Sequence, residues 1–251
     1  MTKLHAVLLA FSAVLGVASA GLQAGETKTG FLNKIHKGKD GDVKYIVFVP
    51  KGYNAEKPYP VILFLHGAGE SGTDGKKQAG TGLGKAIRDK KGDFPFITIF
   101  PQSQKGGWGA ASAEGKRAMA ILEEVEAEYK TDKKRVYLTG LSMGGSGTLS
   151  FAVAHPKRFA AIAPICGGNV KSIGDIKHIP SWFFCGDKDN AKLVENYRAM
   201  AKALKDAGAP TRYDEYPGVG HNSWDRAYGT AELYMWFLKQ AVKQTSLRSH
   251  A

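Results

Sequence analysis

The sequence predicts an α/β fold: a mostly parallel central sheet with helices on both faces and an antiparallel hairpin at its N-terminal edge. Three observations carry this expectation. Apolar runs of strand length, such as Val61-Ile62-Leu63-Phe64-Leu65, alternate along the chain with longer segments of helical spacing. These runs show no in-and-out alternation, as expected of strands covered on both faces. Lys39-Asp40-Gly41-Asp42 joins two β-rich stretches through an Asp-Gly hairpin signal. Strands that alternate with helices imply parallel pairing and right-handed crossovers.

Taken in order, Gly30 to Gly38 and Val43 to Val49 are read as the two hairpin strands. Central strands follow at Val61–Leu65, Phe96–Phe100, Arg135–Thr139, Ala160–Ile165, Trp182–Phe184 and, less purely, Tyr213–Tyr216. Between them, Ala113 to Tyr129 places Met119, Ile121, Leu122 and Val125 on one side of a helix, with glutamates opposite. Ala191 to Ala207 does the same with Leu193, Val194, Tyr197, Met200, Ala201 and Leu204, and Gly208 and Pro210 mark its end. A helix from Ala227 to Val242, rich in aromatics, closes the chain. No repeat, low-complexity stretch or linker divides it.

The chain has 251 residues, of which 43% are hydrophobic, with 31 glycines and two cysteines. That hydrophobic content excludes disorder, and two cysteines exclude a disulfide scaffold. Residues 1–20 read as a cleaved secretory signal: Lys3, an apolar run from Ala6 to Val17, then the small residues Ala18-Ser19-Ala20. A second possible cut follows Ala24. Residues 21–251 then form a single domain, secreted or periplasmic. No other apolar stretch reaches spanning length, so no stable membrane insertion is expected.

The formal charge of +12 invites a nucleic-acid reading. Lys76-Lys77, Lys133-Lys134 and Lys202 are scattered, however, with no aromatic-interleaved patch, so no nucleic-acid partner is expected. The charge suits approach to acidic polymers or surfaces.

The chemistry centres on Gly140-Leu141-Ser142-Met143-Gly144-Gly145, which follows a predicted strand and precedes a predicted helix at Ser146–Ala154. This is G-x-S-x-G in the context it requires. Side chains two before and two after Ser142 would collide with the sharp turn that lifts its hydroxyl. A nucleophilic serine needs a base, and the base needs an orienting carboxylate. His221 is the candidate base, because it lies in a turn just past the last strand. His155 and His178 flank elements and read as structural, and His66 reads as a loop brace. Asp187 and Asp189 both fit the acid position by placement; Asp189 is preferred, since Gly186 then turns the chain before the carboxylate reaches His221. The backbone N–H of Met143 and of Ala68, with Gly69 as runner-up, would form the oxyanion hole. Trp108 and Trp224 are candidates for lining the substrate cleft, or for packing at its rim.

Gly80-Thr81-Gly82-Leu83-Gly84-Lys85-Ala86 fails as a phosphate loop, because Ala79 and Ala86 stand where glycine and Ser/Thr are needed. It reads instead as an active-site loop leading to a helix around Ile87. No His/Cys spacing suggests a metal, and no cofactor is expected. Cys166 and Cys185 end neighbouring strands, a placement that favours two buried thiols over a disulfide.

Together these segments resemble the α/β-hydrolase superfamily, and within it small exported bacterial carboxylesterases, dienelactone hydrolases and prolyl-oligopeptidase-like predicted peptidases. The carriers are Leu63–Glu70, Gly140–Gly145, Gly186-Asp187-Lys188-Asp189 and Tyr216–Trp224. Cys185 departs from relatives that often carry His before this glycine. The resemblance implies a Ser-His-Asp hydrolase that forms an acyl-enzyme without a cofactor, acting on a small-molecule or polymer-linked ester. A serine peptidase, or a non-catalytic polymer-binding relative, are the alternatives. Gly167 to Ile179 is too short for a cap domain, which implies an open cleft.

Overall fold

The apolar runs assemble into an eight-stranded sheet in the computed structural model, which describes residues 27–39, 41–90, 94–168 and 171–242. The segment expected to be a signal peptide lies outside these residues. The strands are β1 (Gly30–Gly38), β2 (Gly41–Val49), β3 (Tyr59–Leu65), β4 (Ile97–Pro101), β5 (Thr131–Leu141), β6 (Ala161–Ile165), β7 (Ser181–Gly186) and β8 (Thr211–Tyr216). Their order is β1-β2-β4-β3-β5-β6-β7-β8. β1 and β2 form the antiparallel hairpin, and β2 pairs antiparallel with β4. From β4 onward every pairing is parallel. The hairpin closes between Gly38 and Gly41, with Gly41 at φ +106°, a conformation that glycine adopts freely. Asp40 of the expected turn lies outside the described residues.

The helices are α1 (Leu83–Asp89), α2 (Ala113–Glu128), α3 (Met143–Ala154), α4 (Ala191–Asp206), α5 (Trp224–Gly229) and α6 (Ala231–Leu238). Alternation along each buried strand sorts the core into two layers. Val61, Leu63, Leu65, Val136, Leu138 and Phe183 face α2, α3 and α4. Ile62, Phe64, Tyr137, Trp182 and Phe184 face α1, α5 and α6. Two polar residues cap helices where the sequence changes from loop to helix. Ser112 Oγ accepts the Gly115 N–H, and Asn190 Oδ1 accepts those of Lys192 and Leu193.

Two differences from the sequence expectation go beyond a shift of two or three residues at an element's end. The closing helix is broken, because Thr230 takes an extended conformation between α5 and α6 and its hydroxyl donates back to the Arg226 carbonyl. Tyr234 Oη, donating to the Tyr228 carbonyl, holds the two pieces against one another. β5 also begins four residues early, since Thr131 pairs with Tyr59 ahead of the apolar run. Between β6 and β7 only a short 3-10 turn, Ile173–Ile176, stands among the described residues, and no cap domain interrupts the fold there.

Candidate active site

Ser142 joins β5 directly to α3, with φ +53° and ψ −114°. A non-glycine residue at this φ stores about 1–3 kcal/mol, which the surroundings must hold in place. They do so through backbone hydrogen bonds: the Ser142 N–H donates to the Ile165 carbonyl at 2.9 Å, and its carbonyl accepts the Ser146 N–H at 3.1 Å. The turn is packed to backbone contact. A Cβ on Gly144 would stand 1.9 Å from the Leu65 carbonyl oxygen, and one on Gly140 would stand 2.4 Å from that of Gly144. Glycine is the residue that fits both positions.

β7 and β8 bring the other two residues to the same edge. Gly186 ends β7 so close to the turn after β8 that a Cβ would lie 2.0 Å from the Val219 carbonyl oxygen. His221 Nδ1 is 2.8 Å from Asp189 Oδ2, and its Nε2 is 2.9 Å from Ser142 Oγ. An ionised carboxylate only accepts, so Nδ1 carries the ring proton and Nε2 is left to accept the serine hydroxyl. Asp189 is 5% exposed in its side chain and His221 is 47% exposed, so the pair has a sheltered end and an open one. Asp189 Oδ1 also accepts the Asn190 N–H at 2.7 Å. Asp187 is placed otherwise: its carboxylate accepts the Gly218 N–H and ties the turn that carries His221. Trp224 stands edge-on to the His221 ring, 5.5 Å between centroids, half-buried against the α5 side of the core.

The loop after β3 lies against this turn. Ala68–Glu70 form one 3-10 turn, and the N–H groups of Ala68 and Met143 donate to no protein acceptor among the described residues. Both are therefore available to an incoming oxygen. His66 is buried beneath the loop: Nδ1 donates to the Gly67 carbonyl at 2.6 Å and Nε2 accepts the Ser103 N–H at 3.0 Å. Burial pushes its pKa down to about 4, so the ring is neutral and braces the loop.

Trp108 does not line an open cleft. It is 3% exposed, and its Nε1–H donates to the His66 carbonyl at 2.9 Å, so it supports the loop from behind. The adjacent Gly107 N–H reaches Met143 Sδ at 3.0 Å and brings the Gly-rich loop alongside the serine. Sequence reasoning missed Gln102. Its amide accepts the Gly75 N–H and donates to the Glu70 carbonyl and Asp74, which pins residues 70–75. The available signal was a polar side chain directly following an apolar strand end.

Cys166 and Cys185 are free and buried, and burial pushes their thiols up to about 12 and about 11. Among the described residues one trio of potential ligands, Cys166, Asp189 and His221, has its atoms within 4.8 Å of one another. A cation there would sever the Asp189–His221 hydrogen bond, so the trio is better suited to that bond than to an ion.

The model of the family described as "Putative esterase" matches residues 38–231. This chain belongs to that family. It is 30% identical over 224 residues to a "Probable feruloyl esterase C" of Aspergillus flavus, a match covering 86% of this chain and 79% of that one. A solved thermostable esterase superposes with a TM-score of 0.73 at 32% identity, covering 84% of this chain and 63% of the other. Over part of its length, 52%, the chain is also 28% identical to a poly(3-hydroxyalkanoate) depolymerase C of Paucimonas lemoignei, covering 33% of that protein. The fold is thus the α/β-hydrolase fold, and the chain is a carboxylic-ester hydrolase by family.

Proposed function

We propose that this esterase is an exported serine enzyme that works through an acyl-enzyme carried on Ser142. The hydrogen-bonded chain Ser142–His221–Asp189, at 2.9 and 2.8 Å, is the observation that supports this reading. His221 Nε2 takes the serine proton as Oγ attacks the ester carbonyl, and Asp189 stabilises the imidazolium that results. The N–H groups of Met143 and Ala68 receive the developing oxyanion. His221 then returns its proton to the departing alcohol. Water repeats the attack on the acyl-enzyme and frees Ser142. Trp224, beside His221, borders the open cleft.

The names of the relatives direct the choice of substrate to an ester of a hydroxycinnamic acid such as ferulic acid, free or attached to a polymer. An open cleft without a cap suits such an attached group. Among the described residues no helix is long and apolar enough to cross a membrane. Export rests on the composition of residues 1–20.

Turnover of methyl ferulate and p-nitrophenyl acetate by Ser142→Ala, alongside fluorophosphonate labelling, tests the mechanism. The expected loss in kcat is about three to six powers of ten, with labelling abolished. Full turnover by the variant would overturn it.

A further inference from the structure

Among the described residues two that are not glycine have positive φ: Ser142, at +53°, and Cys166, at +40°. The first carries the reactive hydroxyl. The second directly follows β6, the strand paired with β5, and nothing in the mechanism above uses it. A side chain at such a φ costs energy that a glycine would not, so the surroundings must hold it there. The Cys166 N–H donates to the Phe184 carbonyl at 2.9 Å, and the Gly167 N–H to Tyr197 Oη at 2.6 Å. Gly167 itself is pressed onto the start of α3, where a Cβ would lie 2.3 Å from the Ser146 nitrogen. This clamped backbone fixes where the thiol points. Cys166 Sγ, an Asp189 carboxylate oxygen and a His221 ring nitrogen lie within 4.8 Å of one another. Cys166 and Asp189 are both buried and His221 is half-exposed, so the sulfur stands on the inner side of the pair. The Ser223 hydroxyl, buried and hydrogen-bonded to no other side chain or backbone group among the described residues, faces the sulfur.

We propose that Cys166 is a positioning residue for the esterase reaction: its thiol fills the space behind the Asp189–His221 pair and keeps water from the buried carboxylate. The inference rests on the serine-esterase reading.

The chemistry of the carboxylate makes this shelter matter. Among the described residues Asp189 accepts two hydrogen bonds, from His221 Nδ1 and from the Asn190 N–H, whereas an ionised carboxylate has about four acceptor sites. A water admitted beside it would donate to the remaining sites and compete with the imidazole. The charge-assisted bond that orients His221 would weaken, because it owes its strength to surroundings of low polarity. A thiol is a weak donor and a weak acceptor, so it covers the carboxylate without competing for it. Burial pushes the Cys166 thiol up to about 12, so it brings no second negative charge to Asp189. Glycine would relieve the backbone and leave the carboxylate open, which accounts for a side chain at a strained position.

Cys166→Gly removes the side chain and relieves the backbone in one change, so it separates activity from stability. The expected result is a Tm within a few degrees of the parent, with kcat for p-nitrophenyl acetate lower by at least about tenfold and KM within about twofold. Cys166→Ser refills the space with a group of nearly the same shape, which can bond the Ser223 hydroxyl. It is expected to recover kcat to within about threefold of the parent. The proposal is overturned if folded Cys166→Gly keeps the parent kcat, or if Cys166→Ser is as slow as Cys166→Gly. Should the glycine variant fail to fold, Cys166→Ala, which removes the sulfur alone, carries the same expectation and the same reversal. Wild-type protein that neither turns over esters nor takes a fluorophosphonate label would be a different failure, that of the esterase reading, and this inference would fall with it.

Discussion

His66 holds one tautomer because both of its nitrogens are committed, Nδ1–H to the Gly67 carbonyl and Nε2 to the Ser103 N–H. Its pKa near 4 in the folded protein lies below the ordinary 6.5, so the unfolded chain takes up this proton first as pH falls. Stability is thus complete above about pH 6.5 and drains away down to about pH 4, by on the order of 3 kcal/mol from this one ring. The expected result is a wild-type Tm that falls between these pH values. In His66→Asn the slope of unfolding free energy against pH should be shallower by about one proton. An unchanged slope would show that the ring is protonated in the folded state.

Glu215 adds a loss of the same sign further down: hydrogen bonds from Arg198 lower its pKa to about 2, so its contribution fades as pH drops below 4.5. The hydrogen-bonded grouping of Ser142, Asp189 and His221 was legible in the sequence, because the proposed chemistry demands fixed residue types in a fixed chain order. Trp108 was not. Its role is set by one hydrogen bond to a carbonyl 42 residues away, which no local pattern records.

The strand–turn–helix from β5 to α3 is the element with least freedom. Gly144→Ala would place a methyl group 1.9 Å from the Leu65 carbonyl, against backbone that belongs to β3. Neither partner can yield without parting the sheet. The expected cost is about 3 kcal/mol or more, read as a lowered urea midpoint or as failure to fold. A loss under about 1 kcal/mol would mean that the corner is looser than its contacts require.

Elements whose signal is local, such as β3 and α4, were read to within two residues at each end. The break at Thr230 was missed, because apolar and aromatic residues continue at helical spacing through it. What divides α5 from α6 is the fit of Tyr228 under the sheet, where its hydroxyl meets Thr139 Oγ1 at 3.0 Å. The early start of β5 was hidden for a related reason. Thr131–Lys134 are polar, and only their pairing with the start of β3 makes them strand.

On the scale of the whole molecule, the serine, histidine and aspartate come from segments 79 and 32 residues apart, and the sheet alone brings them to one edge. The leader proposed for residues 1–20 gives a separate expectation: protein recovered after export starts at Gly21, or at Gly25 if the second site is cut. N-terminal sequencing of the exported product decides, and an intact Met1 would overturn the leader.

The latching of the serine corner has a consequence for how activity is lost. The Ser142 amide is bonded to β6 through Ile165, and the Cys166 amide, at a residue with φ +40°, is bonded in turn to β7 through Phe184. Each proton meets solvent only when its own strand pair parts, β5 from β6 for Ser142 and β6 from β7 for Cys166. Both amides should rank among the slowest to exchange with deuterium, although they border the half-exposed His221 ring. Heat inactivation then reports collapse of the entire sheet, with no earlier melting of the reactive corner.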